Sequence, residues 1–402
     1  MIRPLTGVYH RKHKLHAYTN QGIRLKSNEY RLGFRSDIEG LRAVAILLVI
    51  AAHAHVPWLA GGFVGVDVFF VLSGFLITGL LTREIATTGK LRFVNFYARR
   101  LRRLLPALLT MLVVTCLVAA VVLAPGDQGR QATAAATASI WLSNLHFAFA
   151  KLDYFSPDAG SNLFLHTWSL GVEEQFYLLW PALVLWAFAG TRGTRRNPDR
   201  LKVTMCMIGA ASLLACLLLT RSAPQIAFYL MPLRAWQCAA GALVWLYFGS
   251  GYSMNPEGTV GGLRRSSRTW MGWAGLGLIV LCAVWFNENV PYPGWRALFP
   301  TIGAAGVLAA GSQGFTQGVS KPLSLRPMQS IGRISYAWYL WHWPVLLLGA
   351  SLVPSDSGLY RTALVAVSWL LAVASYAAVE SPIRHQARWV ARPGVGILSA
   401  LA

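Results

Sequence analysis

The segment RSDIEGLRAVAILLVIAAHA, residues 35–54, decides how the chain folds. From Ala43 to Ala52 it is apolar without a break, and the residues that flank the run, Arg42 and His53, lie eleven positions apart. Polar and apolar residues do not alternate, so a half-buried strand is excluded and a helix is expected. On a helix, eleven positions are about three turns and a rise of about 16 Å, so both side chains project from nearly the same face. With Arg42 at a membrane boundary, His53 reaches the middle of the bilayer. Two readings of it stay open. It is a general base working near neutral pH, or a buried histidine satisfied by a neighbouring hydroxyl or carbonyl. His55 points elsewhere and is expected at the interface.

Outward from this segment, apolar runs of similar length recur. Crossing about 30 Å of hydrocarbon takes about 20 residues. Ten runs qualify, at 42–59, 63–82, 104–124, 166–189, 203–220, 226–249, 270–287, 297–312, 334–350 and 362–380, of which 297–312 is the shortest. Composition agrees. Of 402 residues 55% are hydrophobic and 13% charged, against about 25% charged in soluble domains. That excludes a disordered chain and speaks against an ordinary soluble enzyme. The formal charge is +21; a nucleic-acid binder would explain the charge but not the apolarity.

The charge sorts by side. With the N-terminus inside, 30 of the 36 Lys and Arg residues fall in segments that face the cytoplasm, and six (Arg130, Lys151, Arg221, Arg234, Arg296, Arg361) fall outside or near the outer interface. This inside-positive bias predicts an all-α, polytopic transmembrane bundle of about ten spans, both ends cytoplasmic. Residues 1–35 are expected to be a basic cytoplasmic extension, 36–390 the transmembrane domain, and the apolar end PGVGILSALA, within 391–402, the start of an eleventh span. The outer segment 125–165 holds a milder apolar stretch at 133–150, expected at the interface or dipping into the bundle. Cys116, Cys206, Cys216, Cys238 and Cys282 all lie in expected spans and read as small core residues, with no disulfide framework or metal motif.

Ionisable groups inside spans are costly and mark function by default. In GGFVGVDVFFVLSGFLIT, residues 61–78, Asp67 opens the second span; it orients His53 or pairs with a cation, or it is an interfacial acid at a helix N-terminus. The glycines of this stretch suit close helix approach or a flexible rim. FYARRLRRLLPAL, residues 96–108, carries Arg99, Arg100, Arg102 and Arg103, a cluster that can hold phosphates bidentately or serve only as a stop-transfer anchor. In LHTWSLGVEEQFYLLWP, residues 165–181, Glu173 and Tyr177 share a face and Glu174 lies on another. ISYAWYLWHWP, residues 334–344, adds Tyr336, Tyr339 and His342 beside Pro344; an aromatic belt and a sugar-binding surface both fit it. No Walker loop, HExxH or GxSxG elbow occurs.

Taken in order, these motifs and the terminal ASYAAVESPIR (374–384) resemble the membrane-bound acyltransferase-3 family of bacterial O-acyltransferases. The likeness covers roughly 34–390, and six collinear motifs make it specific. The family's first-span signature, a basic residue, ten residues and a histidine, falls on Arg42 and His53. One departure is Gln237 in MPLRAWQCAAGAL (231–243), where many relatives have a glutamate.

The resemblance implies transfer of an acyl group, commonly acetyl, from cytosolic acyl-coenzyme A to a sugar hydroxyl of an envelope glycan, glycolipid or exported molecule. It implies no metal and no nucleic acid. Arg42, Arg99, Arg100, Arg102 and Arg103 are then expected to hold the donor, His53 to deprotonate the acceptor or carry the acyl group, Asp67 to orient His53, and Glu173 to support the site. His166 and His342 are weaker candidates for acceptor contact. Many relatives continue through an eleventh span into an extracytoplasmic hydrolase-like domain, so an acyl-accepting domain or partner outside the membrane is also expected. A transporter or exporter of a glycan or lipid-linked metabolite is the competing class; it commonly shows two related halves with broken helices in matching places, and no such symmetry is visible here.

Overall fold

A computed structural model describes residues 34–156, 159–188, 198–249, 265–312, 318–355 and 357–385. The basic extension, save Phe34 and Arg35, and the expected start of an eleventh span lie outside the described residues. Those described are helical, with no strand among them. The helices are α1 (Ser36–His53), α2 (Gly65–Thr88), α3 (Phe93–Val122), α4 (Pro125–Ser139), α5 (Ser143–Phe149), α6 (Trp168–Phe188) and α7 (Pro198–Ser222). Then come α8 (Pro224–Tyr229), α9 (Met231–Val244), α10 (Arg265–Trp285), α11 (Leu298–Gly311), a short turn Ser320–Leu323, α12 (Arg326–Leu352), α13 (Gly358–Ser375) and α14 (Ser381–His385).

Helix α1 starts on Asp37 and Glu39, acids in the first turn where the helix dipole favours negative charge. It stops just after His53, where His55 adopts a left-handed φ of 53° and turns the chain out. Its neighbours are α12 on one flank and α2 on another. Helix α2 is the central element, buried along most of its length, with α9 against it. Small residues permit this contact: a Cβ at Gly74 would collide with the Cys238 backbone carbonyl on α9. The same holds at Gly65 against the Ala45 carbonyl of α1. These glycines serve close helix approach.

The periphery is apolar. Leu214 and Leu218 on α7, Val113 and Leu117 on α3, and Leu370 on α13 are all exposed. Such a surface belongs in hydrocarbon. Five helices are long and apolar enough to cross a bilayer, spanning Ala60–Thr88, Phe93–Val122, Asp199–Ser222, Ser266–Trp285 and Gly358–Arg384. The chain is a helical membrane protein.

The other expected spans lie on helices of different character. Helix α1 holds Asp37, Glu39 and Arg42 within its 18 residues. The run 226–249 is not one helix. It breaks at Leu230, whose ψ of 132° is extended, and restarts as the 14-residue α9 with proline in its first turn, where a missing N–H costs nothing. Helix α11 is also 14 residues, a rise of about 21 Å. The segment 133–150 forms the end of α4 and all of α5, and its Asn144 and Phe147 are buried in the bundle.

Candidate active site

His53 ends α1, and α12 brings His342 beside it. The rings are nearly parallel, with centroids 5.1 Å apart and an interplanar angle of 12°. His342 Nδ1 lies 2.6 Å from the Tyr339 carbonyl oxygen, which can only accept, so that nitrogen carries the proton and Nε2 of the neutral ring is an acceptor. His53 Nδ1, 2.9 Å from His342 Nε2, therefore donates. The remaining His53 nitrogen, Nε2, keeps its lone pair and receives the Tyr154 hydroxyl at 2.9 Å. Tyr154 lies in a loop outside the spans. Burial, and after it Tyr339 and Glu288, push its phenol well above the usual range, so it stays a neutral O–H donor. His342 is fully buried, whereas His53 retains solvent-accessible surface. A base that must meet a substrate needs that combination.

His166 completes a group of three. Its ring centroid is 5.6 Å from that of His342, its Nε2 is 3.1 Å from the Leu340 carbonyl, and its buried Nδ1 has no partner. Among the described residues no three histidines, cysteines or acids are placed to hold a metal ion.

Asp67 is not a partner of His53. Its carboxylate pairs with Arg234 Nη1 at 3.3 Å and accepts hydrogen bonds from Gln237 Nε2 and the Tyr292 hydroxyl. Asp67 lies on the side of the first turn of α2 that faces α9 and the loop before α11, so its carboxylate turns toward the arginine. Of the readings of Asp67, the structure shows the pairing with a cation and not the contact with His53; the orienting position beside His53 is taken by His342. Gln237 still hydrogen-bonds here, as its amide permits.

One level deeper in the bundle, Glu173 Oε1 accepts from Ser73 Oγ and, at 3.0 Å, from the Tyr177 hydroxyl. Tyr339 and Ser169 are joined at 2.7 Å. On α12, Ser335, Tyr339 and His342 follow each other at helical spacing along one stripe. Ser335 receives Arg42 Nη2 at 3.0 Å. The stripe thus runs from the arginine end to the histidines.

The arginines of α3 divide by their partners. Arg100 lies over the Tyr177 ring, 3.6 Å from its centroid, and interacts with Glu174 and Glu173. Arg103 interacts with Arg42, Arg100, Arg384 and Glu380; its Nε is buried without a partner, as is Glu380 Oε2. Arg99 instead pairs with Glu84 at 3.6 Å, and Arg102 Nε turns back to the Ala98 carbonyl at 3.1 Å. The structure brings Arg42, Arg100 and Arg103 together, while Arg99 and Arg102 are engaged by Glu84 and by the backbone of α3. Glu380 and Arg384 join the first group. Their titratable side chains in the closing ESPIR were the only sequence signal for this.

Known proteins place the chain among its relatives. A family model described as an acyltransferase domain matches residues 35–379. The chain is 30% identical over 372 residues to the peptidoglycan O-acetyltransferase OatA of Listeria monocytogenes, an alignment covering 89% of this chain and 57% of that protein. YrhL of Bacillus subtilis, a peptidoglycan O-acetyltransferase by name, is 32% identical over 87% of this chain and 55% of its own. BcsY of Komagataeibacter xylinus, a membrane-bound transacylase by name, is 32% identical over 86% of this chain and 82% of its own. The chain spans little more than half the length of the first two. No solved structure matches it. With the family match running unbroken from Arg35 through the histidine site to Val379, the chain belongs to the acyltransferase-3 family.

Proposed function

We propose that the protein is an O-acyltransferase of a bacterial inner membrane, moving a short acyl group, acetyl first among them, from cytosolic acyl-coenzyme A to a sugar hydroxyl of an envelope glycan. The observation that carries the reading is the His342–His53–Tyr154 chain, which leaves the His53 Nε2 lone pair turned to a hydroxyl. The relatives' names, which concern peptidoglycan O-acetylation, support the acceptor class.

The donor belongs at the arginine end. Arg42, Arg100 and Arg103 fit phosphate groups, and the partnerless Arg103 Nε is a donor still free to bind one. From Arg42 to His53 is about 16 Å along α1, a distance that an extended thioester arm can bridge. His53 Nε2 takes the proton of the acceptor hydroxyl as its oxygen attacks the thioester carbonyl carbon. The carbon–sulfur bond then breaks, and the proton passes from His53 to the departing thiolate. His342 holds the Nδ1 proton of His53 throughout and stabilises the imidazolium, the part that a third group plays for any such base. Glu173, with Ser73 and Tyr177, supports the wall between the two ends.

In this reading the ten helical segments cross the membrane with both ends cytoplasmic, so that the basic face meets the donor. An acyl-accepting domain or partner outside the membrane fits the greater length of the relatives.

The test supplies membranes with radiolabelled acetyl-coenzyme A and follows label into the glycan fraction. Transfer is expected for the native protein and its loss for a well-inserted His53→Ala variant. Wild-type rates from that variant would remove the proposed base. A transporter would show no release of coenzyme A.

A further inference from the structure

At the end of the bundle away from the arginines, the loops before α2, after α5 and before α11 meet α8. Phe63 packs edge-on against Phe155 and Tyr292, with centroids 5.1 and 4.9 Å apart. Tyr154 stacks on Phe228 at 4.7 Å and 28°, and Phe228 meets Trp168 at 4.5 Å. Between them lies a small cavity walled by Asp67, Tyr154, Trp168, Phe228, Arg234 and Tyr292.

Two features of this wall point to a ligand. Trp168 is 2% exposed, yet its Nε1–H has no partner, a loss that a buried donor does not bear without reason. Second, Tyr154 links the cavity to the reaction centre, since its ring lines the one and its hydroxyl donates to His53 Nε2 in the other.

We infer that this aromatic box is the acceptor subsite and takes one neutral pyranose unit of a glycan. The inference rests on the O-acyltransferase reading and names the substrate class at that site. A pyranose has apolar C–H faces that suit the rings of Phe228 and Trp168, and hydroxyls that suit the unpaired Trp168 N–H and the Asp67 carboxylate. Asp67 and Arg234 lie together with opposite charges, so the wall offers donors and acceptors but no net charge, and a neutral sugar is preferred over an acidic one. To admit the ring, the Tyr154 side chain swings off Phe228. A sugar hydroxyl then replaces the tyrosine hydroxyl on His53 Nε2, in the place that the transfer requires.

The experiment measures equilibrium binding of tritiated chitotetraose to the protein in lipid nanodiscs, without donor, with thermal melting to confirm folding. The wild-type protein binds saturably. Phe228→Leu and Trp168→Phe each weaken binding about tenfold, and Phe228→Tyr, which keeps the stacking face, binds as wild type. The two weakened variants keep the wild-type dependence on acetyl-coenzyme A. No saturable binding by the wild-type protein, or equal affinity in all variants, overturns the subsite. Failure of the transferase reading shows separately, as no turnover of acetyl-coenzyme A whatever the sugar binding.

Discussion

His53 Nδ1 and His342 Nε2 are 2.9 Å apart, and the direction of the hydrogen bond between them is dictated two atoms further on, by the Tyr339 carbonyl. A backbone carbonyl cannot donate, so the chain of tautomers has one solution and ends in a His53 Nε2 lone pair that accepts from the Tyr154 hydroxyl. The device needs no buried carboxylate. An acid beside His53 would have to be kept charged in a low-dielectric site, whereas a second imidazole fixed by the backbone orients the first at lower desolvation cost.

His342→Ala removes the acceptor for His53 Nδ1–H while leaving His53 in place. The expected result is a fall in kcat on the order of 100-fold, the low end of a general base's contribution, with both KM values within about twofold. His342→Gln, whose amide oxygen can accept the same proton, should recover part of the rate. Initial rates of label transfer in membranes decide this, and a raised acceptor KM at normal kcat would make His342 a binding residue.

The different partners of the α3 arginines give a second expectation. Arg103→Ala deletes a group that faces Arg42, Arg384 and Glu380, and should raise the donor KM about tenfold or more, the worth of one charge-assisted hydrogen bond. Arg102→Ala deletes a side chain whose Nε folds onto its own helix, and should leave donor KM unchanged. Arg99→Ala loses an ion pair in which the arginine is 47% exposed, worth about 1 kcal/mol at most. Equal effects of all three would mean that the cluster acts as a diffuse basic surface.

The unequal legibility of these residues has a physical cause. Arg42 and His53 can be paired from sequence because one helix carries both, and helical geometry is local. The division of the α3 arginines does not follow that period, since Arg99 and Arg103 are four positions apart; it is set by partners on α1, α2, α6 and α14, which spacing does not specify. His342 lies 289 positions from His53, and Tyr154 sits in an irregular loop, so neither contact leaves a trace in spacing. The identity of the Asp67 partner is hidden for a related reason. The chain neighbours α1 and α2 make His53 its natural partner, but the cation that a buried carboxylate requires comes from α9, 167 residues on. The aromatic-rich stretches likewise read as interfacial belts, while much of that aromatic surface is turned inward around the histidines.

Asp67 is accordingly expected to matter for stability more than for proton transfer. Asp67→Ala leaves Arg234, 1% exposed, buried without its counter-ion, a change that costs about 3–5 kcal/mol. A large drop in melting temperature and in recovered protein is expected, with an unaltered pH–rate profile in what remains folded. A shifted profile at unchanged melting temperature would return Asp67 to the role of orienting His53.

Packing of the central helix offers a test that does not involve chemistry. A methyl group at Gly74 would meet the Cys238 backbone carbonyl, and a carbonyl held in α9 cannot rotate aside as a side chain can. Helices α2 and α9 must then separate. That disturbs the α9 residues Arg234 and Gln237 that reach Asp67, so Gly74→Ala should cost more than the 1–3 kcal/mol or so of ordinary overpacking. At Gly277 on α10, a methyl group would have nothing within 4 Å of it. There the same substitution should stabilise by about 0.5–1 kcal/mol through the helix propensity of alanine. Fluorescence-detected size-exclusion chromatography after graded heating separates the two: loss of the monodisperse peak for Gly74→Ala and its retention for Gly277→Ala. Wild-type behaviour of both would mean that α2 and α9 are not in the close contact that places the Asp67–Arg234 pair.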